Sequence, residues 1–243
     1  MDALFRNHLS FFRLHRGDFF VAPDAVYIVA EAPGVTSWVP LSPTAERPAD
    51  FDAVRLIPES GGEWGERLQA AGFRPAESLS YQEFPLDREL TQRCELSEHE
   101  VHIASSPDEA LAFAEVQSAA FLGSGDSPDD RWWREFFPWA ALRNYVDPNQ
   151  DLLMIRSGGK AVAVLLLVYD DEVAGIYAVA TRPEYRNRGL STGLLNAGLE
   201  RARQRGLKRA ILQAMRGSFA DGFYRRAGFE ERYVSTVWRR PPA

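Results

Sequence analysis

From residue 101 onward, apolar and polar positions alternate between runs that read as strands and stripes that read as helices. VHIASS predicts a short strand. Ser106-Pro107-Asp108-Glu109 then offers a cap, a proline at the first helical position and an acid three residues after the cap. Leu111, Ala114 and Ala119 follow on a helix ending near Phe121. After the loop GSGDSP, Ser127-Pro128-Asp129-Asp130 repeats the start signal. The aromatic-rich run RWWREFFPWAALRNY predicts a second helix, which Pro138 is expected to kink or break. Three strand-like runs come next: DLLMIRS, AVAVLLLVYD and VAGIYAVAT. The second is apolar at every position from Ala161 to Val168, so it is expected to be covered on both faces. Leu190, Leu194, Leu195, Leu199 and Ala202 form one helical stripe that ends at Gly206. RAILQAM, a short helix from Ser218 to Ala227 stopped by Gly228, and ERYVSTVWRR close the series. Strands with helices interleaved predict an α/β chain built on a mixed sheet.

The first hundred residues are less regular, yet they echo the C-terminal segment. Residues 53–84 and 209–240 both read as strand, glycine-containing turn, helix, Ala-Gly-Phe, strand. Gly72-Phe73 aligns with Gly228-Phe229 without gaps. A duplication and a chance likeness of two strand–helix–strand units are both open on this evidence. The segment SEHE near residue 100 marks the expected boundary, with an N-terminal lobe over 1–98 and a second domain over 99–243.

Charge and composition narrow the function classes. A chain of 243 residues has room for one large domain or two small ones. The net charge of −6 argues against a general nucleic-acid binder. Residues 1–100 carry nine basic and 17 acidic groups, while residues 101–243 carry 19 and 17. An anionic ligand therefore finds its better host in the second half. Lys160 and Lys208 are the only lysines, which reads as a base-composition bias of bacterial type. The lone Cys94 makes no internal disulfide and fits a reducing, cytoplasmic compartment. The N-terminal run is broken by charge every few residues and predicts neither a signal peptide nor a membrane span. His8, His15, His99 and His102 have no metal-ligand spacing, so no metal is expected.

Between the strand VAGIYAVAT and the stripe that starts at Leu190 lies the turn RNRGLS. A helix start offers unpaired N–H groups and the positive end of the helix dipole. Gly189 permits close backbone approach or positive φ. Arg186 and Arg188 add charge. Together these features fit a phosphate cradle. The stretch TRPEYRNRGLS resembles motif A of the GNAT acetyltransferase superfamily, Arg/Gln-x-x-Gly-x-Gly/Ala. Arg186 and Gly189 match, and Ser191 replaces the last Gly or Ala. FADGFYRRAGF resembles the family's motif B through Ala220, Tyr224, Gly228 and Phe229. The asparagine common seven residues before that tyrosine is Gly217 here. The resemblance covers roughly the last 140 residues and reaches the first 100 only through the echo.

The resemblance implies the GNAT fold, a mixed and mainly antiparallel twisted sheet flanked by helices, with a degenerate GNAT-like lobe before it. It implies acetyl-CoA as cosubstrate. The pyrophosphate would sit on the amides of Arg188, Gly189, Leu190 and Ser191. The pantetheine arm would lie along the edge of VAGIYAVAT, where amides near Val179 and Thr181 would polarise the thioester carbonyl. An amine would attack directly, with Tyr224 as general acid. The aligned position in the first half is Leu68, so no second active site is expected there. Phe121, Trp132, Trp133 and Phe136 fall where the family lines its acceptor site, although at least half of the aromatic stripe, which includes Phe137 and Trp139, is expected to be packing. No general base stands out. Asp170, Asp171 and Glu172 cluster at the turn before the cofactor strand, and Glu115 lies on the first helix. The acceptor is expected to be a primary amine of a small molecule or peptide. A non-catalytic CoA-sensing or protein-binding tandem module is the alternative, and a homodimer stays open.

Overall fold

A computed structural model describes residues 2–13, 17–89 and 100–241. In chain order the elements are α1 (Ala3–Arg13), β1 (Gly17–Val21), β2 (Ala25–Ala30), β3 (Ser37–Pro40), β4 (Ala53–Leu56), α2 (Trp64–Ala70) and β5 (Arg74–Pro85). They continue with β6 (Val101–Ile103), α3 (Pro107–Phe121), α4 (Pro128–Val146), β7 (Gln150–Ser157), β8 (Lys160–Tyr169) and β9 (Val173–Thr181). The last are α5 (Leu190–Gln204), β10 (Arg209–Met215), α6 (Phe219–Ala227) and β11 (Glu230–Arg239).

These elements form two compact units that do not follow chain order. One comprises residues 1–83, 213–225 and 229–243; the other comprises 84–212 and 226–228. The C-terminal strand β11 thus clusters with the N-terminal residues. The expected boundary at residues 98 and 99 lies outside the described residues, as do Cys94, His15 and His99.

In the first unit β11 lies between β4 and β5, antiparallel to both. β1, β2 and β3 extend that sheet as antiparallel neighbours, and β3 meets β4 in parallel. Its core is a cluster of Trp38, Val54, Trp64, Leu68 and Phe73. The Trp38 and Trp64 rings meet edge-on with centroids 5.1 Å apart. The echo between the two segments extends to single hydrogen bonds. The Phe73 N–H donates to the Leu68 carbonyl at 2.9 Å, and the Phe229 N–H to the Tyr224 carbonyl at 3.0 Å. Both helices end on a left-handed glycine, Gly72 at φ 85° and Gly228 at φ 103°.

In the second unit the strand order is β10-β9-β8-β7-β6, antiparallel except for the parallel pair β9–β10. Every residue from Ala161 to Val168 of β8 is at most 4% exposed, and β8 contacts both α3 and α5. Both faces of this strand are covered, as its unbroken apolar run requires. Leu190, Leu194, Leu195, Leu199 and Ala202 form the buried stripe of α5.

Both helix-start signals operate. The Ser106 hydroxyl accepts from the Glu109 N–H, and Ser127 with Asp130 forms a reciprocal capping box. Pro138 does not break α4, which runs from Pro128 to Val146 with the proline inside it. The ring removes one backbone donor, at a cost of about 3 kcal/mol in a free helix. Buried Phe136 and Phe137 before it, and Ala140 and Ala141 after it, hold the helix in register and offset that loss. No helix among the described residues is long and apolar enough to cross a membrane.

Candidate active site

β9 is the strand that shapes the candidate site. β10 pairs with it only at Val173, Ala174 and Gly175. From Ile176 to Thr181 the edge of β9 away from β8 has no strand partner among the described residues. The register against β8 also shifts between Val164 and Leu166, where Ala178 adopts a left-handed φ of 51°. An alanine there costs on the order of 1 kcal/mol, so the bulge is imposed by the surrounding sheet. The Arg182 N–H donates to the Val162 carbonyl of β8 at 2.9 Å. Strand alternation then turns the Thr181 N–H away from β8, toward the open edge, and Val179 lies two residues earlier, next to the bulge at Ala178.

The chain leaves β9 through Arg182, turns at Pro183–Tyr185 and enters α5. Asn187 and Gly189 are both left-handed, at φ 61° and 75°. Gly189 occupies the N-cap position, where it brings no side-chain cap. The first amide bonded back into the helix is that of Gly193, which donates to the Gly189 carbonyl at 2.9 Å. The N–H groups of Leu190 and Ser191 precede it and have no backbone acceptor among the described residues. The turn therefore presents free donors at the positive end of a 15-residue helix.

The arginines of the turn divide their tasks. Arg182 is buried; its Nε donates to the Ala161 carbonyl at 2.9 Å and its Nη2 to Glu115 at 3.2 Å. Arg186 is exposed; it donates to the carbonyls of Thr181 at 3.3 Å and Ala120 at 3.2 Å, which ties the turn to the end of α3. Arg188 is also exposed, lies over the Tyr185 ring and donates to the Glu184 carbonyl at 3.1 Å. Exposed guanidiniums keep further donors for an anion. The Thr181 and Ser191 hydroxyl oxygens lie 2.9 Å apart. The motif's departure at Ser191 thus fills a defined structural place.

The remaining expected residues are placed as follows. Tyr224 on α6 is buried, and desolvation pushes its phenol well above the usual tyrosine range. Its ring packs edge-on against Phe229. Gly217 is left-handed at φ 78°, and its N–H donates to Asp221 at 2.8 Å. Asp170, Asp171 and Glu172 sit at the opposite end of β9 from Thr181, beyond a strand that spans roughly 26 Å at strand rise, and Glu172 pairs with Arg209. Phe136 stacks on Trp132 and is buried, while Trp132 and Trp133 are half-exposed and Phe121 is exposed. His8 is buried with its Nδ1 2.5 Å from the Tyr81 hydroxyl.

A cavity of about 510 Å³ lies against α3 and α4, and its walls include Glu115, Ser118, Arg134 and Arg182. None of Phe121, Trp132, Trp133 and Phe136 lines it. Sequence reasoning singled out neither Arg134 nor Arg182. An arginine directly after the strand that ends at Thr181 was the available signal for Arg182. Arg134 had none, because only the packing of α3 on α4 brings it to the cavity.

A family model for the acetyltransferase (GNAT) family matches residues 110–229. The chain is 31% identical over 120 residues to an uncharacterized N-acetyltransferase of Methanocaldococcus jannaschii, a match covering 45% of this chain and 50% of that one. The chain thus spans half the length of that curated relative. Its fold is similar to a GCN5-related N-acetyltransferase from Kribbella flavida, with a TM-score of 0.66, 17% identity and coverage of 99% of this chain and 96% of that one. It is also similar to a tandem GNAT protein from the clavulanic acid biosynthesis pathway, with a TM-score of 0.58, 11% identity and coverage of 90% and 80%. The likeness of fold extends over the first hundred residues as well. Residues 110–229 thus form a domain of the acetyltransferase (GNAT) family.

Proposed function

We propose that the protein transfers the acetyl group of acetyl-CoA to a primary amine of a small molecule or peptide. The observation that carries this reading is the continuity of two open donor sets. The unpaired edge of β9, with the Thr181 amide and Val179 two residues before it, leads within ten residues to the free amides of Leu190 and Ser191. A thioester arm laid along that edge would end its diphosphate on the helix start, with Arg186 and Arg188 alongside. An amide aimed at the carbonyl stabilises the developing oxyanion, by a few kcal/mol per donor.

The reaction needs little else from the protein. A neutral amine attacks the thioester carbon, a C–N bond forms, the C–S bond breaks, and CoA leaves as a thiolate. The acceptor ammonium sheds its proton before attack, and the tetrahedral intermediate sheds a second. The thiolate takes one proton back, so one is released to solvent. We assign its delivery to Tyr224. Burial keeps that phenol protonated over the range in which a thiol titrates and, by the same shift, makes it a weaker acid than the thiol, so its position at the departing sulfur rather than its acidity carries the assignment. Phe121 is exposed and Trp132 and Trp133 are half-exposed, so these rings keep open surface on α3 and α4 outside the cavity. Phe136 acts through packing.

Calorimetry with acetyl-CoA tests the reading, comparing wild type with Gly189→Glu. Micromolar binding abolished by the substitution supports it. No binding to folded wild-type protein overturns it in favour of a non-catalytic module.

A further inference from the structure

The cavity between α3 and α4 holds a charge pattern that the acetyl-transfer reading does not use. Two guanidiniums line it. The Arg182 side chain is only 10% exposed, so its charge is largely removed from water. Glu115, at 3.2 Å, is the carboxylate that meets it, and that side chain is 70% exposed. Arg182 spends Nε on the Ala161 carbonyl and Nη2 on Glu115, which leaves Nη1 without an acceptor among the described residues. Arg134 spends Nη2 on the Gly123 and Gly125 carbonyls. Its Nε and Nη1 have no acceptor among the described residues. The nearby Asp130 carboxylate is committed to the Ser127 N–H and hydroxyl at the start of α4.

The walls therefore carry two positive charges and one negative. Both guanidiniums keep N–H donors of the kind that bind a carboxylate in pairs. Leu111, Ala114 and Pro138 supply an apolar surface beside them. The volume of about 510 Å³ exceeds that of a single amino acid. We propose that this cavity binds the carboxylate-bearing end of the acceptor, and that the acceptor is a small zwitterionic amine of the α-amino-acid type. Its carboxylate lies between Arg134 and Arg182, its ammonium faces Glu115, and its side chain meets the apolar wall. Calling the bound molecule the acceptor rests on the acetyltransferase reading; the binding itself does not.

The test is direct binding without turnover, by calorimetry or NMR titration of the full chain. The probes are L-alanine and L-leucine, each against its carboxamide, with acetyl-CoA in a separate titration. The free carboxylates are expected to bind at least about tenfold more tightly than the carboxamides, because a charge-assisted contact is replaced by a neutral one. Arg134→Gln should erase that preference while acetyl-CoA binds as in wild type. Arg134 also holds the loop at Gly123 and Gly125, so a second variant is needed. Ser118→Trp fills the cavity from a partly exposed helix position, and should abolish binding of both amino acids but leave acetyl-CoA binding intact. Equal binding of acid and amide, or no binding of either, overturns the proposal whether or not acetyl-CoA binds. A carboxylate preference in a protein that fails to bind acetyl-CoA upholds the cavity site and overturns the transferase reading alone.

Discussion

The Thr181 Oγ1 and Ser191 Oγ lie 2.9 Å apart, and this contact closes the turn that joins β9 to α5. It holds the last residue of the strand against the second residue of the helix. The open strand edge and the free helix amides are thereby kept in one fixed arrangement. Ser191→Ala removes one partner of a half-buried hydrogen bond, worth about 1 kcal/mol. The melting temperature should fall by about 2–4 °C for a chain of this size, and acetyl-CoA affinity should fall with it. Unchanged melting would show that the contact contributes nothing.

Tyr224→Phe tests the acid. The ring keeps its packing against Phe229 and loses only the hydroxyl. Turnover should slow by on the order of 10²-fold, with acetyl-CoA binding unchanged by calorimetry. Full turnover in the variant would remove Tyr224 from the chemistry.

Gly72 tests the local geometry that the two halves share. Nothing lies within 4 Å of a Cβ added there, and its φ is 85°. The cost of Gly72→Ala is therefore backbone strain alone, on the order of 1–2 kcal/mol. Chemical denaturation should show the midpoint lowered with an unchanged slope. A neutral result would mean that the helix end relaxes freely.

Asp221 sets an acid limb of stability. Burial works to raise its pKa, but the Gly217 N–H and the Arg225 guanidinium outweigh burial and hold the carboxyl below the usual carboxylate range. A depressed folded value means that its contribution is fully present above the unfolded pKa of about 3.9. The contribution is lost as pH falls through the lower folded value. Asp221→Asn should therefore cost stability at pH 6 and progressively less below pH 4. Melting curves across that range check the sign; a gap that widens in acid would reverse it.

Elements whose signal is local were legible in the sequence. The Ser106 and Ser127 starts, the all-apolar β8 and the stripe of α5 each depend on neighbours a few residues away, through capping or periodicity. The phosphate-cradle turn was legible for the same reason, because its glycine, its arginines and the helix start are contiguous. The two motifs, in order, also carried the family.

What depends on distant pairing was not legible. No glycine marks the bulge at Ala178, since its positive φ is imposed by the register against β8. Nothing near Pro138 announces that α4 continues, since flanking residues buried by tertiary packing outweigh one lost donor. Arg182 and Glu115 are 67 residues apart, and Arg134 joins them only when α3 packs on α4. The chain's local chemistry determined the elements, the turn and the family. Tertiary structure decided which strand edge stays open and which charges share a cavity, because both follow from contacts between segments that no short stretch of sequence contains.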